Sequence, residues 1–417
     1  MPYPYYTEPS HIRGAVGNTS GNGAIDTSDI SSQSRLVVDA SDKVFLLEPR
    51  KHPLVTLLTN VGKTPDGKTY KGSGILKKVA DQPEFSWFED VYGARYATVA
   101  ANYTNSDTSI TVDGAGSNSA YVFTVGDLVK NASTGEIVLV TAIASSSALT
   151  VTRAFGSTSA AAGTDGDGLF IIGNVNEENG AARNSNITAP SKESNYTQIF
   201  RTTIPVTGTQ MASKTYTGDE MKRLRAKKGT EHAQDIERAF WFGEKHLDTA
   251  GTQGHPRRAT GGILEMILSG GSYTQNQGGA LTEDSWNVFC REAFTYGNST
   301  KTLFAGSKVV QALSKIAYGN LQTKSKDKTY GVAISEYVTP FGTINIVSHP
   351  MFVQDYAGSA FLVDLESFKY RYLENRDTKL RTGIQNNDID GVVDEYLTEA
   401  GLERKQAPRH AYLYGVT

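Results

Sequence analysis

Apolar and polar positions change period several times along this chain, and those changes divide it. From Thr217 to Lys245, apolar or small side chains recur at Met221, Leu224, Lys228 (by its stem), His232, Ile236, Ala239 and Phe240. Steps of three and four predict a helix with one narrow buried stripe. Thr217 followed three residues later by Glu220 is a capping-box signature for its start. A helix of this span would run about 43 Å, well beyond the usual three turns. Gly229 inside it costs about 1 kcal/mol relative to alanine and marks a slight bend.

Upstream the period is two. Glu84–Tyr92 and Tyr196–Val206 are extended and aromatic or β-branched, and they form the outgoing and returning arms of one long β excursion. Between them, short strand patterns at Thr108–Val112, Tyr121–Lys130, Glu136–Ile143, Ala148–Phe155 and Gly168–Ile172 alternate with Gly, Asn and Ser turns. Residues 102–174 therefore read as a small antiparallel β-barrel or sandwich set into a loop, and 175–195 as a polar linker. Residues 1–35 are rich in Gly, Ser, Asn and Pro and form an arm, followed by a short helix broken near Pro49 and Pro53.

Downstream, Gly251–Gly262 is a connector. Helices are expected at Trp286–Tyr296 and Lys308–Ala317, a strand at Thr302–Ala305, a basic tip at Lys324–Lys328, and a hairpin turning at Pro340-Phe341-Gly342. Residues 281–360 thus read as an α/β domain. Two strand pairs close the chain: Phe361–Leu373 with Thr378–Thr382, and Val393–Thr398 with Ala411–Val416.

A net charge of −3 does not suggest a dedicated nucleic-acid binder, and the lone Cys290 excludes an internal disulfide. Cys290 falls in an amphipathic helix and reads as a buried structural thiol. No apolar run is long enough to span a bilayer, and the N-terminus lacks the features of a signal peptide. The sequons at Asn102 and Asn195 are then chance in an Asn/Ser/Thr-rich chain.

Candidate chemistry is thin. Gly62–Thr69 matches the phosphate-loop pattern G-x-x-x-x-G-K-T, and Asp364 could imitate its acidic partner, but Tyr70-Lys71-Gly72-Ser73-Gly74 will not open the helix such a loop requires. Glu89 and Asp90 are neighbours on a strand, point to opposite faces, and make a poor acid–base pair; solvated or subunit-facing charges fit them better. Asp165-Gly166-Asp167-Gly168 lacks the glutamate of a calcium loop and reads as a turn. No catalytic, metal or cofactor residues are assigned, and an enzyme is not expected. Lys222, Arg223, Arg225, Lys227 and Lys228 crowd the first half of the long helix. They form either a solvated, partly paired face or a surface for phosphate backbone without base readout.

The order of parts resembles the major capsid proteins of tailed bacteriophages, with the Hong Kong 97-type α+β fold, in a branch carrying a β-domain inserted in the extended loop. The resemblance rests on Phe123–Val129, Leu149–Gly156, Gly166–Asn174 and Glu395–Glu403. It implies an N-terminal arm (1–60), an extended loop (61–101 and 175–206), the inserted β-domain (102–174), a peripheral domain with the spine helix (207–280 and 361–417) and an axial domain (281–360). It further implies a virion subunit, assembled in the host cytoplasm, that forms hexamers and pentamers of an icosahedral head around double-stranded DNA. Its partners would be itself, a portal protein, and separate scaffolding and decoration proteins, with no membrane. Two rival readings are a P-loop nucleotide-binding enzyme on residues 62–69, and a phage tail or adhesin β-module, suggested by the Ser/Thr-rich insert.

Overall fold

The computed structural model describes residues 52–59, 76–113, 119–213, 218–251, 254–320, 324–325 and 334–417. The expected N-terminal arm, the phosphate-loop pattern at 62–69, Thr217 of the capping box and most of the basic tip lie outside those residues. The chain is α+β, as expected, and divides into two compact units.

The first unit is built on Phe200–Ile236 and Thr378–Thr398. The long helix runs Glu220–Phe242, shorter than the pattern suggested. It starts at Asp219, whose carboxylate accepts from the Lys222 amide at 3.2 Å. Gly229 has a packing reason: an added Cβ would lie 3.2 Å from the Tyr396 hydroxyl, which donates to the Arg225 carbonyl. His232 is buried between the hydroxyls of Thr202 (2.9 Å) and Thr398 (2.7 Å).

The second unit comprises Pro53–Ile199, Glu237–Asp377 and Glu399–Thr417. Its centre is a seven-stranded mixed sheet, in the order Tyr273–Gly279, Ala411–Val416, Ala360–Val363, Thr300–Ala305, Gly342–Ser348, Ile334–Thr339, Lys324–Ser325. Helix Glu283–Ala293 buries Trp286, Phe289 and Cys290 against it, and helix Ser307–Asn320 buries Val309 and Leu313. Burial pushes the Cys290 thiol up to about 12, as fits an inert core group. The α/β expectation for 281–360 catches the helices and hairpin, but the sheet also takes strands 273–279 and 411–416 from outside that range.

Beside this sheet, Trp241 packs on Phe304, Phe352 and Phe361 with ring centres 5.0–5.2 Å apart. The fully buried Glu237 carboxylate accepts from the amides of Leu54 (2.8 Å) and Val55 (2.7 Å), and contacts His349 Nε2 at 2.8 Å. It therefore satisfies the free first-turn amides of helix Pro53–Thr59. Pro53 opens that helix rather than breaking it, because proline is tolerated at the first helical position.

Both expected closing strand pairs are wrong. Ala360–Val363 is buried at every position and sits in the middle of the large sheet between Thr300–Ala305 and Ala411–Val416. Asp364 then caps a 3-10 turn at Leu365–Ser367, and Phe368–Leu373 leaves for another sheet. There it pairs with Lys77–Ala80 and with residues 400–404 of the long strand Gly391–Arg404. Lys379–Arg381 pairs with 395–397 of the same strand. One strand of 14 residues thus serves partners that neighbours in sequence were expected to supply. Asp364 caps that turn and lies 3.4 Å from Arg409.

His410 is buried, with Nδ1 accepting from the Asp364 amide and Nε2 donating to the Lys405 carbonyl, each at 3.2 Å. Burial holds it down at about 3, against an ordinary 6.5; His232 is lowered for the same reason. Between those values the unfolded chain binds the extra proton. The stabilisation from a neutral His410 is therefore complete above pH 6.5 and is lost as pH falls toward 3. Melting curves from neutral pH to about pH 4 should show this acid limb, and His410→Gln, which keeps one donor and one acceptor, should flatten it.

Candidate functional site

Strand Glu84–Glu89 pairs antiparallel with Ser191–Tyr196, in register from Glu84↔Tyr196 to Glu89↔Ser191. The returning arm is thus 191–196 rather than 196–206. The Thr197 amide donates to the Pro83 carbonyl at 2.8 Å and ends the ladder, and Gln198–Thr207 goes to a body sheet beside Gly391–Arg404. Alternation sends Phe85 and Trp87 inward, where the Arg371 guanidinium lies 5.6 Å from the Phe85 ring centre.

The root of this ribbon is held by buried polar groups. Asn195 is fully buried; its Nδ2 donates to the carbonyls of Gly261 (3.0 Å) and Leu402 (2.8 Å), and its Oδ1 accepts from the Gly261 (2.8 Å) and Tyr196 (2.9 Å) amides. A Cβ at Gly401 would come within 2.5 Å of the Tyr196 carbonyl, so only glycine lets the ribbon sit this close. Glu89 is half-buried and tied to the body: one carboxylate oxygen accepts from Trp87 Nε1 (2.7 Å) and the Gln406 amide (3.0 Å). Asp90 accepts from the Val91 amide (2.9 Å) and the Thr188 hydroxyl (3.1 Å).

The outer face of the ribbon and the turns beyond it are uncovered. Phe88 is 70% exposed, Val91 62%, Tyr92 103% and Ile187 82%. Phe88 lies on the ribbon among the exposed Glu84, Ser86 and Lys192, and Val91, Tyr92 and Ile187 lie in the segments that run on from its two strands; several large apolar side chains left exposed near one another mark a candidate interaction surface. The polar linker is partly a strap: Arg183 pairs with Asp127 at 2.8 Å, and Asn186 Nδ2 donates to the Tyr121 and Val122 carbonyls.

The insert is a six-stranded antiparallel sheet, in the order Tyr96–Thr98, Gly168–Asn174, Asp127–Asn131, Ile137–Ser145, Ala148–Thr152, Ser109–Thr111, and the Val99↔Val112 bridge joins its two edges into a small barrel. The sheet begins upstream of residue 102. The sequence missed Tyr96–Thr98 because a strand of three residues carries almost no period. Asp167 forms a turn: hydrogen bonding from the Ser133 side chain, the Thr164 amide and Asn131 holds its carboxylate down at about 2.

Of the helix bases, Lys222 is exposed. Arg223 pairs with Glu220, Arg225 with Asp394 at 2.7 Å, and Lys227 and Lys228 with Glu231 at 3.7 and 2.7 Å. The Arg223 guanidinium holds the Glu220 carboxyl below its ordinary value. The buried Asp394 is 169 residues away in sequence, and no local pattern announces it.

Among the described residues no group of three or more His, Cys, Asp and Glu could hold a metal ion, and no helix is long and apolar enough to cross a membrane. What the surface does offer is large exposed apolar side chains on the ribbon and in the segments just beyond it. The chain matches the SU10 major capsid protein family over residues 17–417, and it belongs to that family. It is 25% identical over 334 residues to the major capsid protein of Pseudomonas phage PaMx41, covering 77% of this chain and 75% of that one. Similar solved structures include the capsid asymmetric unit of cyanophage A-1(L) (12% identity, 93% of this chain and 99% of that one, TM-score 0.49) and Microbacterium phage Oxtober96 (11%, 94% and 100%, 0.46). The resemblance to phage major capsid proteins drawn from the sequence holds, and with it a structural role in the phage virion; the fold class is α+β.

Proposed function

We propose that copies of this chain associate into hexamers and pentamers of an icosahedral head, each arm lying across a neighbouring copy. The observation that carries this is the ribbon Glu84–Glu89/Ser191–Tyr196: its root is fixed by buried hydrogen bonds, while Phe88, Val91 and Tyr92 stand in water. The ribbon packs its inner face, Phe85 and Trp87, on its own body, and a second molecule covers the other face. In this reading 61–101 and 175–206 form the extended loop, 102–174 the insert, 207–280 with 361–417 the peripheral domain, and 281–360 the axial domain. A portal protein, separate scaffolding and decoration proteins complete the head. Electron microscopy of the purified full chain should show closed particles or capsomer rings; a monomer at every concentration tested would overturn the reading.

The head encloses double-stranded DNA, and the first half of the long helix faces it through Lys222, Arg223, Arg225, Lys227 and Lys228. Since the other four are paired with carboxylates, Lys222 is the base free to displace counterions. Lys222→Gln should lower the salt slope of DNA retention by about 1, as expected for one lost phosphate contact. An unchanged slope removes this helix from the DNA surface.

A further inference from the structure

The uncovered apolar surface does not stop at the arm. Four residues after Tyr92, the chain enters the barrel at Tyr96, which is 45% exposed. Tyr96 stands opposite Phe170 in register, and their ring centres are 6.0 Å apart. Phe170 is 46% exposed, and Ile172, the next outward position on the same strand, 52%. On the far side Phe170 is opposite Lys130, which is exposed. The inward neighbours Ala97, Val129 and Leu169 fill the barrel core, so the core does not need the outward set. The outward set is apolar at Tyr96, Phe170 and Ile172, with the exposed cation Lys130 at the next cross-strand position.

We infer that this barrel face, Tyr96, Phe170 and Ile172, is buried against a second copy of the chain in the assembled shell, so that the insert braces the arm contact rather than projecting free. The inference rests on the assembly proposed above. Its occupant follows from continuity. Tyr92 and Tyr96 are at most about 14 Å apart along the chain, while one side of an ordinary protein interface covers about 800 Å². Whatever copy covers Phe88 and Tyr92 reaches Tyr96 and Phe170 within the same footprint.

The test uses thiol labelling, for which the chain is suited: its one cysteine, Cys290, is fully buried with its thiol pushed up to about 12. Ile172→Cys is prepared in the full chain, with Ser106→Cys, exposed on a barrel loop, as the accessible control. Maleimide labelling is followed on free subunits and on particles assembled from the purified chain alone. The expected result is fast labelling of both thiols in free subunits, and labelling of the Ile172→Cys thiol at least tenfold slower in particles. Equal rates at Ile172→Cys in both states overturn the brace while leaving the assembly intact, as does protection that appears only after another protein is added. Failure to form either particles or capsomer rings overturns the assembly reading and the brace with it. A second variant, Phe170→Ser with Ile172→Ser, should keep the thermal melt of the free subunit and reduce particle yield at least tenfold; normal yield overturns the inference.

Discussion

Arg153→Met should destabilise the inserted barrel by about 3–5 kcal/mol, the usual cost of stripping one partner from a buried ion pair. Glu136 is fully buried. Arg153 meets it with both sides of its fork, Nε to Oε1 at 2.8 Å and a terminal nitrogen to Oε2 at 2.7 Å. The remaining guanidinium hydrogens go to the carbonyls of Thr104, Asp107 and Ala161, and the guanidinium lies 4.9 Å from the Tyr103 ring centre. Burial by itself would raise the Glu136 carboxyl; Arg153 and the amides of Ala154 and Ala161 outweigh it and keep the group low. Methionine fills the space but leaves a buried carboxylate without its cation and three carbonyls without donors. Local opening should therefore rise by roughly a hundredfold or more. Limited proteolysis of the full chain, with cuts mapped to 104–107 and 154–161, reads that opening. Adding Glu136→Leu removes the stranded charge, so the double variant should be more stable than Arg153→Met alone. Equal stability of Arg153→Met and the parent would show that the pair is not what holds these loops.

Arg153 also shows how far the sequence reached. Its partner lies 17 residues back, and no periodicity links the two. Elements with a strong period were legible: the long helix, the helices around Trp286 and Val309, and five of the barrel's strands. Order among strands was not. The two closing pairs failed because burial on every side chain, as at Ala360–Val363, places a strand mid-sheet without saying beside which neighbours. The basic face of the helix was legible as composition only. The carboxylates that neutralise it, Asp394 most of all, come from a distant strand, so a run of charge looked freer than it is. Asn195 was the largest miss. Its sequon was correctly set aside, but a polar residue in a polar stretch gave no sign of being fully buried.

Asn195→Ala should loosen the arm more than any other single change at its root. The side chain makes every hydrogen bond an amide can offer there, two given to the Gly261 and Leu402 carbonyls and two accepted from the Gly261 and Tyr196 amides. Alanine leaves all four of those groups without these bonds. At about 1–3 kcal/mol for each of the four buried groups left unpaired, a loss of at least about 4 kcal/mol is expected. Asn195→Asp is the sharper probe. It keeps the shape and both accepted bonds, but turns two donated bonds into a carboxylate facing two carbonyl oxygens. Its cost should equal or exceed that of alanine at neutral pH and shrink on acidification, when the protonated acid can donate one of the two bonds again. Hydrogen exchange at 84–89 and 191–196 measures the root directly, and particle yield measures what the root is for. An arm that exchanges a hundredfold faster yet still assembles in full would mean that the neighbouring copy orders it without help from its own body. Unchanged exchange in both variants would mean that Phe85 and Trp87, packed beneath the ribbon, are sufficient to anchor it.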